Sequence, residues 1–317
     1  MQARPIVTVT LNPALDLATH ADRIVPGPKL RCAEPRADPG GGGANVSRVI
    51  ATLGGQSTAF MALGGPAGAR LSGLIEQAGI ALVAYPAPGE TRTSWSITDR
   101  LTGDQFRFVL PGPRWRRGDV AAVLKAIAEA VPRGALVVMS GSLGPGLPDD
   151  LPIRLARRLA RQGAAMVLDT SGAALRRAAA ATDHPVEVLR MDHEEAEDLA
   201  GRLLPDRTDT ADFAEGLVRS GACRIAVVAR GADGSVLVDA GRRLHAAAAP
   251  VPVKSKIGAG DSFVGGFALA LAEGRGPAAA LQRGMAAASA TVTTEATRLC
   301  SRTMVRRLIP RCPVSAI

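Results

Sequence analysis

The sequence predicts an α/β fold: a mostly parallel central sheet with helices on both faces and a small β-sheet lid. Short β-branched runs alternate with longer segments of helical period along most of the chain, which is the pattern of strands joined by crossover helices. Two stretches, about 17–38 and 91–112, break that rhythm and read as lid strands. No linker or internal repeat intervenes, so residues 1–317 are expected to form a single domain. With 47% hydrophobic residues a substantial core is available, but 3% aromatics leave it to Ala, Leu and Val.

In chain order, IVTVTL (6–11) is the first strand, and Asp16 follows its carboxyl end. Pro26, Pro28, Pro35 and Pro39 rule out a helix in the extended segment after it. DPGGGGANVSRVIATLGG (38–55) sets four glycines before a helix, and STAFMAL (57–63) and GARLSGLIEQAG (68–79) continue as strand and helix. TRTSWSITDRLTGDQFRFVLPG (91–112) alternates as two strands joined near Thr102, Gly103 and Asp104. Then come ALVVMS (135–140), the basic amphipathic DDLPIRLARRLARQG (149–163), AAMVLDT (164–170) and VEVLRM (186–191). The acidic DHEEAEDLAG (192–201), DTADFAEGLVRSG (209–221) and RIAVVAR (224–230) complete the alternation. In such sheets ligands sit at the carboxyl ends of strands, and strands that cannot join the sheet form a flap that excludes water.

The formal charge of +9 points to an anionic partner. The arginines are dispersed; Arg298, Arg302, Arg306, Arg307 and Arg311 recur at about one helical turn and read as a solvated helix face. With few aromatics to stack on bases, an anionic metabolite is the more economical partner than nucleic acid. Residues 49–69 carry no charge, but Gly and Pro interrupt them, so no membrane span is expected. Cys32, Cys223, Cys300 and Cys312 form no metal or disulfide pattern, and MQARPIVTVTLNP has no apolar leader core, so a reduced, cytoplasmic protein is expected.

PVKSKIGAGDSFVGGFALAL (252–271) places Gly258, Ala259 and Gly260 before Asp261 and an apolar helix. It reads either as a plain helix start or as a helix N-terminus that holds a phosphoryl group beside a carboxylate. The four glycines of 40–43 let backbone N–H groups approach a ligand, and Asn45 can bond hydroxyls; neither a Walker A loop nor G-x-G-x-x-G is present. Asp16 is either a turn residue or a sugar ligand. Lys29, Arg31, Arg92 and Arg107 lie in the predicted lid, as solvent-facing charges or as a phosphate clamp. Asp192 and Glu195 open an acidic helix, or hold magnesium together with nucleotide phosphates.

Together, PGGGGANVSRVIATLGG (39–55) and IGAGDSFVGGFALAL (257–271) resemble the two signatures of the ribokinase/PfkB family of carbohydrate kinases. Within it, KLRC (29–32), FRFVLPG (106–112), SGSLGPG (140–146), LDTSGAAL (168–175), PVKS (252–255) and TRLCS (297–301) look like the minor bacterial 6-phosphofructokinase subgroup. The 1-phosphofructokinases and tagatose-6-phosphate kinases share much of the pattern. The resemblance implies a ribokinase-like fold and transfer of a phosphoryl group from ATP, with Mg2+, to the C1 hydroxyl of fructose 6-phosphate. It makes Asp261 the base, with its ionised form favoured by Lys254 or Lys256, and Gly258, Ala259 and Gly260 the anion hole. Asp16, Gly41, Gly42, Asn45 and Ser142 would hold the sugar, and Lys29, Arg92 and Arg107 its 6-phosphate. Arg31 would reach a neighbouring subunit of a homodimer formed through the lid. Gly231 and Gly234 would border the nucleotide, Arg190 and Asp192 contact it, and Glu195, with Asp192, orient magnesium.

Three segments depart from the family pattern: Arg190, Met191 and Asp192 replace Lys-Pro-Asn, Ala229, Arg230 and Gly231 replace Ser-Leu-Gly, and Lys256 stands near a usual Thr or Ser. All are on the nucleotide side. The alternative they raise is a sugar-phosphate-binding regulator that transfers poorly; nucleic-acid binding ranks last.

Overall fold

The computed structural model describes residues 3–317; Met1 and Gln2, the start of the segment read above as leaderless, lie outside the described residues. Ten strands form the main sheet and four form the lid. β1 (Ile6–Thr10) runs straight into β2 (Ala14–Ala21), which with β3 (Arg36–Gly40), β6 (Arg92–Asp99) and β7 (Gln105–Val109) makes the lid in the order β3-β2-β6-β7. In the main sheet β1 is flanked by β4 (Thr58–Leu63) and β5 (Ala81–Pro86) on one side. On the other side lie β8 (Leu136–Ser140), β9 (Ala165–Asp169), β10 (Val186–Asp192) and β11 (Cys223–Ala229), all parallel. β12 (Ser235–Asp239), β13 (Arg242–Ala246) and β14 (Val314–Ala316) extend that edge antiparallel.

The parallel strands are covered on both faces, which is why they read as continuous apolar runs rather than as alternating ones. Successive side chains still part company: Val7, Val9, Val137 and Met139 join one buried layer, while Ile6, Leu136 and Val138 join the other. The first layer is built by α3 (Arg117–Ala130), α4 (Leu151–Ala160), α5 (Gly172–Ala179), α6 (His193–Ala200) and α7 (Arg207–Ser220). The second is built by α1 (Gly42–Thr52), α8 (Ala259–Ala272), α9 (Pro277–Thr291) and α10 (Arg302–Leu308). α2 (Gly65–Gln77) packs on β5 and touches the lid. α8 is apolar all round because it lies between α1 and α9, with Phe263, Phe267 and Leu269 all buried. No helix among the described residues is long and apolar enough to cross a membrane.

The lid differs from the sequence reading in two respects. Its first strand starts at Ala14 rather than near residue 17, so Asp16 is a lid residue and not part of a turn, and residues 22–35 form neither strand nor helix. β2 pairs in parallel with β6, while β6 and β7 form the expected hairpin, Thr98 opposite Gln105. The Asp99 carboxylate pins this end of the lid: it accepts the N–H groups of Ile24 (2.7 Å), Leu101 (2.8 Å) and Thr102 (3.2 Å).

Candidate active site

Three strand ends line up at the carboxyl edge of the sheet. Ser140 ends β8, Asp169 ends β9, and Arg190 of β10 stands opposite Asp169, so sheet register alone sets the three side by side. Ser140 Oγ donates to Asp169 Oδ2 at 2.9 Å and Arg190 Nη1 to Oδ1 at 2.9 Å. Burial disfavours the Arg190 cation, but the adjoining Asp169 outweighs it, and the guanidinium is held above its usual pKa.

Two helix N-termini point at the same place. α1 begins after Gly41, and Gly42 lies so close to β8 that a Cβ would stand 2.6 Å from the Ser140 carbonyl carbon and 2.7 Å from the Gly141 nitrogen. α8 begins at Gly258, whose φ of 73° is in the left-handed region, where a side chain is strained. The Ala259 N–H bonds the Lys256 carbonyl at 3.3 Å, whereas those of Gly258, Gly260 and Asp261 have no acceptor among the described residues. The free donors of this turn are therefore those of Gly258 and Gly260 from the set expected from sequence, joined by that of Asp261, while the Ala259 N–H is engaged. With the helix dipole they form an anion site beside the Asp261 carboxylate.

Asp261 Oδ2 accepts the Asn45 amide at 2.8 Å. Burial pushes its pKa up to about 6, helped by Asp169 and opposed by the Asn45 bond and Arg190. The lysines expected to hold it low do not figure: Lys254 pairs with Glu295 at 3.6 Å, and Arg190 is the cation that opposes the rise.

The lid closes over this floor to leave a cleft of about 180 Å³. Asp16, Arg92 and Arg107 line it from above, and Gly41, Gly42, Asn45, Gly258 and Asp261 from below. Asp16 is likewise pushed up to about 6 by burial, against the pull of Arg92, Arg107 and Arg48. Arg92 is held by the carbonyls of Asn12 (3.2 Å) and Leu110 (3.3 Å), which aim its guanidinium. Ser94, Trp95, Ser96 and Thr297 also line the cleft and were not singled out from sequence.

Other expected residues lie outside the cleft. Lys29 and Arg31 are exposed on the irregular 22–35 connection, and Ser142 is exposed and accepts from Asn12 Nδ2 at 3.3 Å. Asp192 and Glu195 form a reciprocal cap at the start of α6: each side chain accepts the other's N–H at 2.9 Å. Burial raises the Glu195 pKa; the bond from the Asp192 N–H opposes the rise and the Asp192 carboxylate charge adds to it. Gly231 (φ 59°) and Gly234 (φ 110°) flank the turn after β11. Within that turn Arg230 points inward, donating to Asp233 Oδ2, to the carbonyls of Leu204 and Pro205 at 3.0 Å each, and to the Thr210 hydroxyl. The departure from Ser-Leu-Gly thus supplies a clasp between two loops.

A carboxylate at an open helix N-terminus, facing a cleft roofed by cations, is an arrangement suited to a small anion. The pfkB family carbohydrate kinase model matches residues 9–304. Two ATP-dependent 6-phosphofructokinase isozyme 2 proteins are similar: that of Escherichia coli is 36% identical over 93% of this chain and 95% of its own length. That of Mycobacterium tuberculosis is 34% identical over 95% and 88%. The solved phosphofructokinase-2 of Escherichia coli in complex with fructose-6-phosphate superposes with a TM-score of 0.90 at 34% identity, covering 97% of this chain and 98% of that one. The chain belongs to the pfkB family of carbohydrate kinases.

Proposed function

We propose that the protein transfers the γ-phosphoryl group of ATP to the C1 hydroxyl of fructose 6-phosphate, giving fructose 1,6-bisphosphate and ADP. The observation that carries this reading is Asp261 at the open start of α8, across one cleft from Arg92 and Arg107. Asp261 takes the C1 hydroxyl proton as that oxygen bonds the γ-phosphorus and the bond to the bridging oxygen breaks. The free N–H groups of Gly258, Gly260 and Asp261 hold the charge that builds on the transferring group. Asp16, Asn45 and the Gly41–Gly42 backbone bind the sugar hydroxyls, and Arg92 and Arg107 its phosphate. Ser142 borders the sugar end. The nucleotide lies along Arg190, Asp192, Gly231 and Gly234.

Magnesium, when bound, neutralises triphosphate charge. Asp192 Oδ2 and Glu195 Oε1 are left over from the helix cap, and two such carboxylate oxygens suit a hydrated cation held partly by phosphates. Leu30, Phe106, Phe108 and Leu110 are exposed at the lid, Phe106 and Phe108 on the face of β7 opposite Arg107 and the cleft, which supports a homodimer through this face. Lys29 and Arg31, beside Leu30, would then reach the neighbouring copy. An Escherichia coli relative of known structure is described as a tetrameric inhibited form.

A coupled assay for ADP release with MgATP tests the reading against fructose 6-phosphate, tagatose 6-phosphate, fructose 1-phosphate and fructose. Fructose 6-phosphate is expected to be preferred; no turnover with any sugar would move the reading to a binding protein. Arg107→Ala is expected to raise the KM for fructose 6-phosphate roughly ten- to a hundredfold, the worth of a charge-assisted bond, and to leave the KM for ATP unchanged.

A further inference from the structure

The hydrogen bond to Asp261 depends on which end of the Asn45 amide faces it, and Arg48 sets that orientation. Arg48 lies three residues beyond Asn45 on α1, on the same face. Its Nη1 donates to Asn45 Oδ1 at 2.9 Å and to the Pro39 carbonyl at 3.0 Å, and its Nη2 faces Asp38 Oδ1 at 3.4 Å. Asp38 is fixed in turn by Arg36 at 2.8 Å and by the Thr297 hydroxyl. A guanidinium has donors only, so it can donate to the oxygen end of the amide but cannot receive its NH₂ end. The NH₂ end is thereby turned toward Asp261 Oδ2.

We propose that Arg48 is a positioning residue for the transfer reaction: by locking the Asn45 amide it keeps a donor on the base and one carboxylate oxygen of Asp261 free for the sugar hydroxyl. The inference rests on the kinase reading above for its catalytic meaning, but the lock itself is a property of the ligand-free chain. Without Arg48 the amide is free to flip, and its oxygen then faces the carboxylate, an arrangement that Asp261 relieves by taking up a proton.

The groups facing Asp261 are Asp16 from β2, Asp169 from β9, Arg190 from β10 and, on α1, Asn45 with Arg48 behind it. Arg48 also carries charge and itself faces Asp16, Asp38 and Arg36, so a direct field effect must be separated from the lock. A double-mutant cycle does this. The Asp261 carboxyl is titrated by infrared difference spectroscopy in the ligand-free protein, with Asp261→Asn identifying its band, in wild type, Arg48→Met, Asn45→Ala and the double variant. The acid limb of kcat is recorded alongside.

Arg48→Met is expected to move the Asp261 titration and the acid limb to higher pH by about one pH unit, and to add little in the Asn45→Ala background. The proposal is overturned if Arg48→Met leaves the titration in place, or shifts it equally in both backgrounds, which is the direct charge effect. If Arg48→Met does not fold, Arg48→Gln takes its place in the cycle, since its amide both donates and accepts. Absence of sugar turnover in the wild type would sink the kinase reading and leave the titration to decide the lock.

Discussion

Asp261→Asn is expected to fold, to bind sugar phosphate, and to lose at least a thousandfold in kcat. A positioned general base is typically worth 10²–10⁴ in rate. The substitution also removes the negative charge that orients the hydroxyl, while the Asn45 bond and the helix N-terminus remain available to the neutral amide. Rapid-quench and steady-state measurements of ADP formation check the rate, and equilibrium binding of fructose 6-phosphate checks that the site persists. Retention of the full rate would remove Asp261 from the mechanism.

The same residue predicts a pH dependence for activity and an opposite one for stability. Asp261 and Asp16 both titrate at about 6, and the base works ionised, so activity is lost as pH falls through that region. The two carboxylates influence one another, so the limb belongs to the pair. For folding, the native pKa lies above the ordinary carboxyl value of 3.8, so the native state holds the proton more tightly than the unfolded chain does. Stability therefore falls as pH rises from about 4 to 6, and the cost of the buried charge is carried in full above that. A rise from 3.8 to about 6 is worth at most about 3 kcal/mol, and less because the carboxylate reaches cleft water. The Asn variant should thus resist urea better than wild type at pH 8, with the gap closing below pH 4.

What was legible in the sequence follows from where the physical signal is local. Ile6–Thr10, Leu136–Ser140 and Cys223–Ala229 announced themselves because two-sided burial leaves a short run dominated by apolar and β-branched residues. β5 and β14 did not, since edge strands such as Ala81–Pro86 and Val314–Ala316 are half exposed and carry no such run. Gly258–Asp261 and Gly41–Asn45 were legible because close approach at a helix start demands glycine. Arg48 and Asp169 were not, because their importance arises from sheet register and helix packing across the fold. The spacing of Arg48 from Asn45 held a faint signal: i and i+3 share a helix face. The lysines assigned to Asp261 failed for the same reason in reverse, since proximity in sequence placed them near it and the fold points Lys254 at Glu295.

Arg190→Met is expected to be the most damaging substitution on the nucleotide side, and Arg190→Lys close to neutral. Arg190 and Asp169 are both largely withdrawn from solvent, with side-chain exposures of 14% and 12%, and their 2.9 Å contact is the charge compensation of the strand-end row. Removing one member of a buried pair typically costs roughly 3–5 kcal/mol, because the other is left charged in a poor solvent. Asp169 would then act unopposed on Asp261, raising its pKa further and driving the acid limb of kcat upward. Lysine restores the residue type common in the family, and the structure shows how little it would give up. Of the guanidinium donors only Nη1 engages Asp169, while Nε is buried without a partner. A single ammonium can replace the used donor and removes an unsatisfied one, which itself carries a cost. Thermal melting and a kcat–pH profile for the two variants give the answer: a destabilised Met variant beside a near-native Lys variant is expected. Equal losses in both would mean that it is the planar fork, which lies so close to Gly260 that a Cβ there would stand 3.2 Å from Arg190 Nη1, and not the charge, that the site requires.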